Sequence, residues 1–121
     1  MSNISFDYDD TLDLGQGLPD EAMVSRFKAH MSAGDKVYVV TSRMWTSDGE
    51  DQIDEFLDEH GLIAEDVVFT NMCLKVDTLY RLGCSIHYDD NPEELIVLED
   101  YGITGIDAIY GKPFDKRTRW R

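Results

Sequence analysis

The feature that most limits the folds open to this chain is an alternation of short β-branched runs with stretches of helical spacing. The runs are "ISF" near 3–7, "KVYVVT" at 36–41, "VVFT" at 67–70, "SIHY" at 85–88 and "IDAIY" at 106–110. Between the first two, Ala22, Met23, Phe27 and Met31 share one helical face over about 19–33, with Pro19 suited to a first helical position and Gly34 to a stop. Ile53, Phe56 and Leu57 define a second helix over about 47–60, and a third runs over about 74–82, closed by Gly83. The fourth begins with Asn91 as N-cap and Pro92 at the first turn, and Gly102 closes it. Strands and helices in this order predict an α/β fold of three Rossmann-like layers around a mainly parallel five-stranded sheet.

A length of 121 residues suits one domain and leaves no room for a second. Residues 1–111 are expected to form it, with 112–121 as a basic C-terminal tail. The start "MSNISFDYDD" lacks a basic and apolar secretory signal, and no apolar run approaches the roughly 18 to 20 residues of a membrane span. A cytoplasmic protein is expected. Cys73 and Cys84 are the two cysteines, without C-x-x-C spacing, so they read as reduced thiols rather than a zinc site or a disulfide.

The net charge of −14 is uneven. Residues 1–111 hold 24 acidic and six basic side chains, a balance of −18, while the tail carries +4. Such a body repels phosphate backbones, so stable nonspecific nucleic-acid binding is not expected.

Ligands of a doubly wound sheet bind at the carboxyl ends of its strands. The unusual polar residues fall there: Asp7, Asp9 and Thr11 after the first strand, Thr41 to Arg43 after the second, and Asp89, Asp90 and Asn91 after the fourth. Carboxylates crowded together raise one another's pKa unless a cation intervenes. Hard oxygen ligands from two loops suit Mg²⁺, which takes one or two carboxylates and keeps waters or substrate phosphate. A calcium EF-hand is excluded because Leu12 and Leu18 stand where its loop needs Gly and Glu.

Here the residues carry a family likeness. "FDYDDTL" resembles the first motif of the haloacid dehalogenase-like hydrolases, with Asp10 where many members carry Gly; "VYVVTSR" resembles the second and "SIHYDDNPEE" the Asp-Asp form of the fourth. Lys75 is placed for the third, and Lys112 is the other lysine to weigh. The resemblance implies an Mg²⁺-dependent phosphatase that works through an aspartyl-phosphate. Asp7 would be the nucleophile and Asp9 the general acid and base, its pKa raised by acidic neighbours. Thr41, Thr11, Ser42 and Arg43 would contact the phosphoryl group, Lys75 would offset negative charge, and Asp7, Asp9 through its backbone carbonyl, Asp89 and Asp90 would hold the metal. Little beyond one helix lies between the first two motifs, and one helix and one strand in residues 44–74, so no cap domain is expected. An open site accepts a phosphorylated small molecule or a nucleic-acid end, or borrows a lid from a second copy in a homo-oligomer. The phosphatase half of polynucleotide kinases is one comparison, although no G-x-x-x-x-G-K-[ST] loop is present to support a kinase.

Two rivals remain. A phosphorylation-switch receiver would share the acidic cluster and "GKPFD" at 111–115, but "VVFTNM" offers no phosphoacceptor aspartate. A catalytically degenerate binding protein would use the tail, with Trp120 among arginines. His87 reads as a satisfied structural histidine, and Asp10, Asp13, Glu93 and Glu94 as solvated or helix-capping charges.

Overall fold

Five parallel strands form, β1 (Asn3–Phe6), β2 (Lys36–Thr41), β3 (Asp66–Phe69), β4 (Cys84–Asp89) and β5 (Thr104–Asp107), the last starting two residues before the expected run at 106–110, whose residues 108–110 are a turn. They are seen in a computed structural model that describes residues 1–119; Trp120 and Arg121, the end of the basic tail, lie outside the described residues. A further strand, β6 (Lys112–Pro113), pairs antiparallel with β5 through Ile106 and Asp107, so the tail's first residues extend the sheet. The order is β3-β2-β1-β4-β5-β6. Its parallel part is the Rossmann order, in which the reversal of strand order falls between β1 and β4. A receiver domain would have β2-β1-β3-β4-β5, so the topology removes that rival.

Helix α1 (Glu21–Ser32) starts two residues later than the pattern suggested. Asp20 caps it by accepting from the backbone N–H of Ala22 at 3.0 Å and of Met23 at 3.2 Å. Pro19 instead bridges Asp13. Thr46 caps α2 (Ser47–Glu59). Helix α3 (Val76–Arg81) is short, and α4 (Pro92–Leu95), capped by Asn91, runs only one turn. The adjacent β-branched Ile96 and Val97 are poor helix formers, and the chain continues as a 3₁₀ turn at Glu99–Tyr101 that Gly102 ends at φ 72°. A last turn, α5, spans Lys116–Arg119.

Alternation along the strands sorts the core. Ile4, Phe6, Val37, Val39 and Tyr88 pack with Phe27 of α1 and Ile53 and Phe56 of α2, and Phe6 lies stacked on Tyr88 at 4.3 Å between ring centroids. Val40 and Cys84 pack with Val76 and Leu79 of α3 and with Leu95 on the opposite face. Both faces are thus covered, as a parallel sheet requires.

Candidate active site

Strand periodicity builds the site. Ser5 is in register with His87 and Phe6 with Tyr88, and the ladder continues as the Asp7 N–H donates to the Tyr88 carbonyl at 2.9 Å. Asp7 and Asp89 are each two positions beyond Ser5 and His87, so all four side chains emerge on the α3 face, on strands about 4.8 Å apart. Lys75 is the residue that caps α3, and that helix covers the same face. Its ammonium reaches both carboxylates, 2.7 Å from Asp7 Oδ1 and 2.7 Å from Asp89 Oδ2. Lys112 lies exposed on β6 with its ammonium over the Tyr110 ring, so Lys75 is the lysine at the carboxylates.

An open cleft of about 420 Å³ lies over this cluster at the reversal point, with Asp7, Asp9, Ser42, Lys75, Asp89 and Asp90 in its wall. Oxygen atoms of Asp7, Asp89 and Asp90 come within 4.8 Å of one another. The Asp9 carboxylate does not join them. Both of its oxygens accept from Arg43, Oδ2 from Nε at 2.8 Å and Oδ1 from Nη2 at 2.7 Å.

Charge in the cluster is unevenly compensated. Burial pushes Asp89 up, but the hydrogen bond from His87 and the Lys75 charge outweigh it and hold the carboxyl well below its usual range. Burial also opposes the Lys75 ammonium, and Asp7 and Asp89 together outweigh that and stabilise its charge. For Asp7, burial and then the Asp89 charge dominate, and its carboxyl is raised well above the usual range despite Lys75. Asp90 is raised as well, chiefly by burial. One ammonium is thus shared by Asp7 and Asp89, while the Asp7 and Asp90 carboxyls both sit above their usual range. Three hard oxygen donors in that condition fit a divalent cation such as Mg²⁺.

Other predicted residues are placed differently. Thr11 is fully buried outside the cleft wall and lies 3.3 Å from Asp7 Oδ2 and 3.2 Å from Asp90 Oδ1, sharing its one proton between them. Thr41 is buried outside the cleft wall, and its hydroxyl accepts from the Arg43 N–H at 3.3 Å; Ser42 lines the cleft in its place. Asp10 is exposed at the cleft edge with φ 61°, a left-handed conformation that Gly adopts freely and Asp tolerates.

Two acids expected to be solvated are buried. Glu94 accepts from the Lys75 backbone N–H at 2.9 Å and so seats the start of α3. Asp13 accepts from the Tyr8 hydroxyl at 2.6 Å and from the N–H groups of Gly15 and Gly17, closing the loop after β1. The Gly-x-Gly spacing beside Asp13 was the one available signal; nothing in the sequence marks Glu94's reach. His87 is a satisfied buried histidine as expected, and Cys73 and Cys84 are free thiols.

Solved structures share this architecture. A chain of the Pnkp1/Rnl/Hen1 complex superposes with a TM-score of 0.70 at 15% identity, covering 88% of this chain and 46% of that one. A chain of the Pnkp1/Rnl/Hen1 RNA repair complex gives 0.69 at 12% identity, covering 88% and 42%. The D,D-heptose 1,7-bisphosphate phosphatase of B. bronchiseptica, complexed with magnesium and phosphate, gives 0.63 at 12% identity, covering 88% and 80%. The fold is haloacid dehalogenase-like. Within that haloacid dehalogenase-like fold no cap domain accompanies the sheet among the described residues, and the chain spans less than half the length of the first two matches. No protein-family model and no curated protein sequence matches the chain. No described helix is long and apolar enough to cross a membrane.

Proposed function

We propose that the protein is an Mg²⁺-dependent phosphomonoester hydrolase that acts through an aspartyl-phosphate on Asp7. The observation that carries this reading is the convergence of Asp7, Asp89 and Asp90, whose oxygens lie within 4.8 Å of one another in a cleft wall beside Lys75. Its likeness in fold to a phosphatase complexed with magnesium and phosphate supports it. Asp7, Asp89 and Asp90 would hold the metal, with the Asp9 backbone carbonyl. Bound Mg²⁺ supplies a Lewis acid and neutralises charge on the phosphoryl oxygens.

An Asp7 oxygen attacks phosphorus, the ester P–O bond breaks, and Asp9 gives its proton to the departing alcohol. Asp9 then takes a proton from water, the water oxygen attacks phosphorus, and the Asp7–phosphorus bond breaks to release phosphate. For these transfers one Asp9 oxygen must leave the Arg43 fork. Lys75 stabilises charge on the attacking oxygen, and the cleft's donors hold the transferring group in place.

The substrate is a phosphorylated small molecule or a nucleic-acid end, since an open cleft admits either. Exposed Met44, Trp45, Met72 and Ile109 stand on loops that follow β2, β3 and β5, the edge that carries the cleft, where they would meet the body of a substrate. The acidic surface opposes contact with a long phosphate backbone. A panel of phosphorylated metabolites, nucleotides and 3'-phosphorylated oligonucleotides tests the reading: Mg²⁺-dependent phosphate release from at least one is expected. No release from any, by protein of verified fold, would favour a binding role.

A further inference from the structure

Behind the cleft runs a buried hydrogen-bonded chain whose inner members, Ser5 and His87, the proposed reaction does not use. Ser5 Oγ is 2.8 Å from His87 Nδ1, His87 Nε2 is 2.8 Å from Asp89 Oδ2, and Lys75 Nζ is 2.7 Å from that same oxygen. Ser5, His87 and Asp89 are each 0% exposed. The order Ser-His-Asp is that of a serine nucleophile set, but Ser5 sits inside the central strand and outside the cleft wall, where no substrate reaches it. The chain therefore acts on Asp89. An ionised carboxylate only accepts, so His87 Nε2 carries the hydrogen, and in the neutral ring Nδ1 accepts from the Ser5 hydroxyl.

Each carboxylate oxygen offers about two acceptor directions. Asp89 Oδ2 uses both, on His87 and Lys75, while Oδ1 uses one on the Asn91 N–H at 3.0 Å. One direction on Oδ1 is left. We propose that His87 is a positioning residue that restricts Asp89 to offering a single oxygen to a divalent ion, and that the site thereby favours Mg²⁺ over Ca²⁺. The physical ground is that Ca²⁺ readily takes both oxygens of a carboxylate, whereas Mg²⁺ demands a small, octahedral set of single contacts. Without His87, Oδ2 regains an acceptor direction that a Ca²⁺ ion can take, and Asp89 keeps only its bonds from Lys75 and the Asn91 N–H. The inference rests on the metal assigned to this site above and adds which ion the protein selects and by what residue.

The test is calorimetric titration of Mg²⁺ and of Ca²⁺ into metal-free wild type, His87→Leu and His87→Gln, each checked for fold by circular dichroism. His87→Leu is expected to bind Mg²⁺ about 10- to 100-fold more weakly, the usual effect of losing such a supporting group, and Ca²⁺ less weakened, so that the preference shrinks. His87→Gln, whose amide N–H donates from a similar position, is expected to keep the preference. Nitrogen-15 NMR of the wild-type imidazole reads the same claim without a variant, and the Nε2–H tautomer is expected. Wild-type affinities in His87→Leu, a Gln variant as impaired as Leu, or the Nδ1–H tautomer would each overturn the proposal and leave the phosphatase reading standing. Wild type that binds neither ion would remove the metal site and this inference with it.

Discussion

Arg43 grips Asp9 with two parallel hydrogen bonds, Nε to Oδ2 at 2.8 Å and Nη2 to Oδ1 at 2.7 Å, joining loops that follow neighbouring strands. The pair is partly open to solvent, so it contributes only about 0 to 1 kcal/mol to stability. Its value lies in orientation: one bond opens when Asp9 exchanges its proton, and the other holds the carboxylate in a direction that a point charge does not fix. Arg43→Lys is expected to lower kcat for phosphate release by about tenfold, with the urea midpoint nearly unchanged, since misplacing a reacting group costs rate before it costs stability. A kcat equal to wild type would mean that Asp9 does not need this partner.

Lys75 is the opposite case, a buried charge between two buried carboxylates. Lys75→Met leaves them uncompensated and should cost about 3–5 kcal/mol in the metal-free protein, read from urea denaturation in EDTA. An unchanged midpoint would show that the ammonium is not what holds Asp7 and Asp89 together.

Packing at β5 gives a test that does not involve the site. A Cβ on Gly105 would stand 2.9 Å from Leu95 Cδ2 and 3.1 Å from Leu98 Cδ1, both in buried side chains. Gly105→Ala should therefore lose about 1–3 kcal/mol by overpacking, measured by thermal or urea unfolding. Wild-type stability would mean that these leucines have room to move.

Asp35 ties the start of β1 to the end of α1. It accepts from the Ser2 N–H at 2.9 Å and lies 2.9 Å from His30 Nδ1, and its carboxyl is lowered first by the His30 hydrogen bond and then by Ser2. A lowered folded-state pKa contributes stability that is present above the unfolded value of about 3.9 and lost as pH falls through the folded value. The stability gap between wild type and Asp35→Asn should be present above the unfolded value and close as pH falls through the folded value. An NMR titration placing the Asp35 carboxyl at or above its ordinary value would contradict this.

Much of the architecture was legible because it is written in local periodicity. The β-branched runs marked β1 to β4 and the end of β5, and the rule that ligands sit at strand ends put Asp7 and Asp89 at one edge of the sheet, where Lys75 meets them. Contacts between distant loops were not legible in the same way. Arg43 was assigned to substrate and Asp9 to acid–base chemistry and, through its backbone carbonyl, to the metal, yet their side chains face each other because two strand ends adjoin. Glu94 looked like a helix-capping charge and is buried against the Lys75 backbone, and Asp13 looked solvated and is buried under Tyr8. Glu94 is decided by the backbone of a remote segment, which no pattern of neighbours encodes, whereas Asp13 is decided within its own loop by the N–H groups of Gly15 and Gly17.

In the proposed reaction Asp7 is phosphorylated once in every turnover. Rapid acid quenching with a turned-over phosphomonoester, followed by peptide mass spectrometry, reads this directly. The expected result is one phosphoryl group on the peptide that contains Asp7, formed with Mg²⁺, absent in EDTA and absent in Asp7→Asn, which is also inactive. Sustained Mg²⁺-dependent turnover by Asp7→Asn, with no phosphorylated peptide in the wild type, would contradict it.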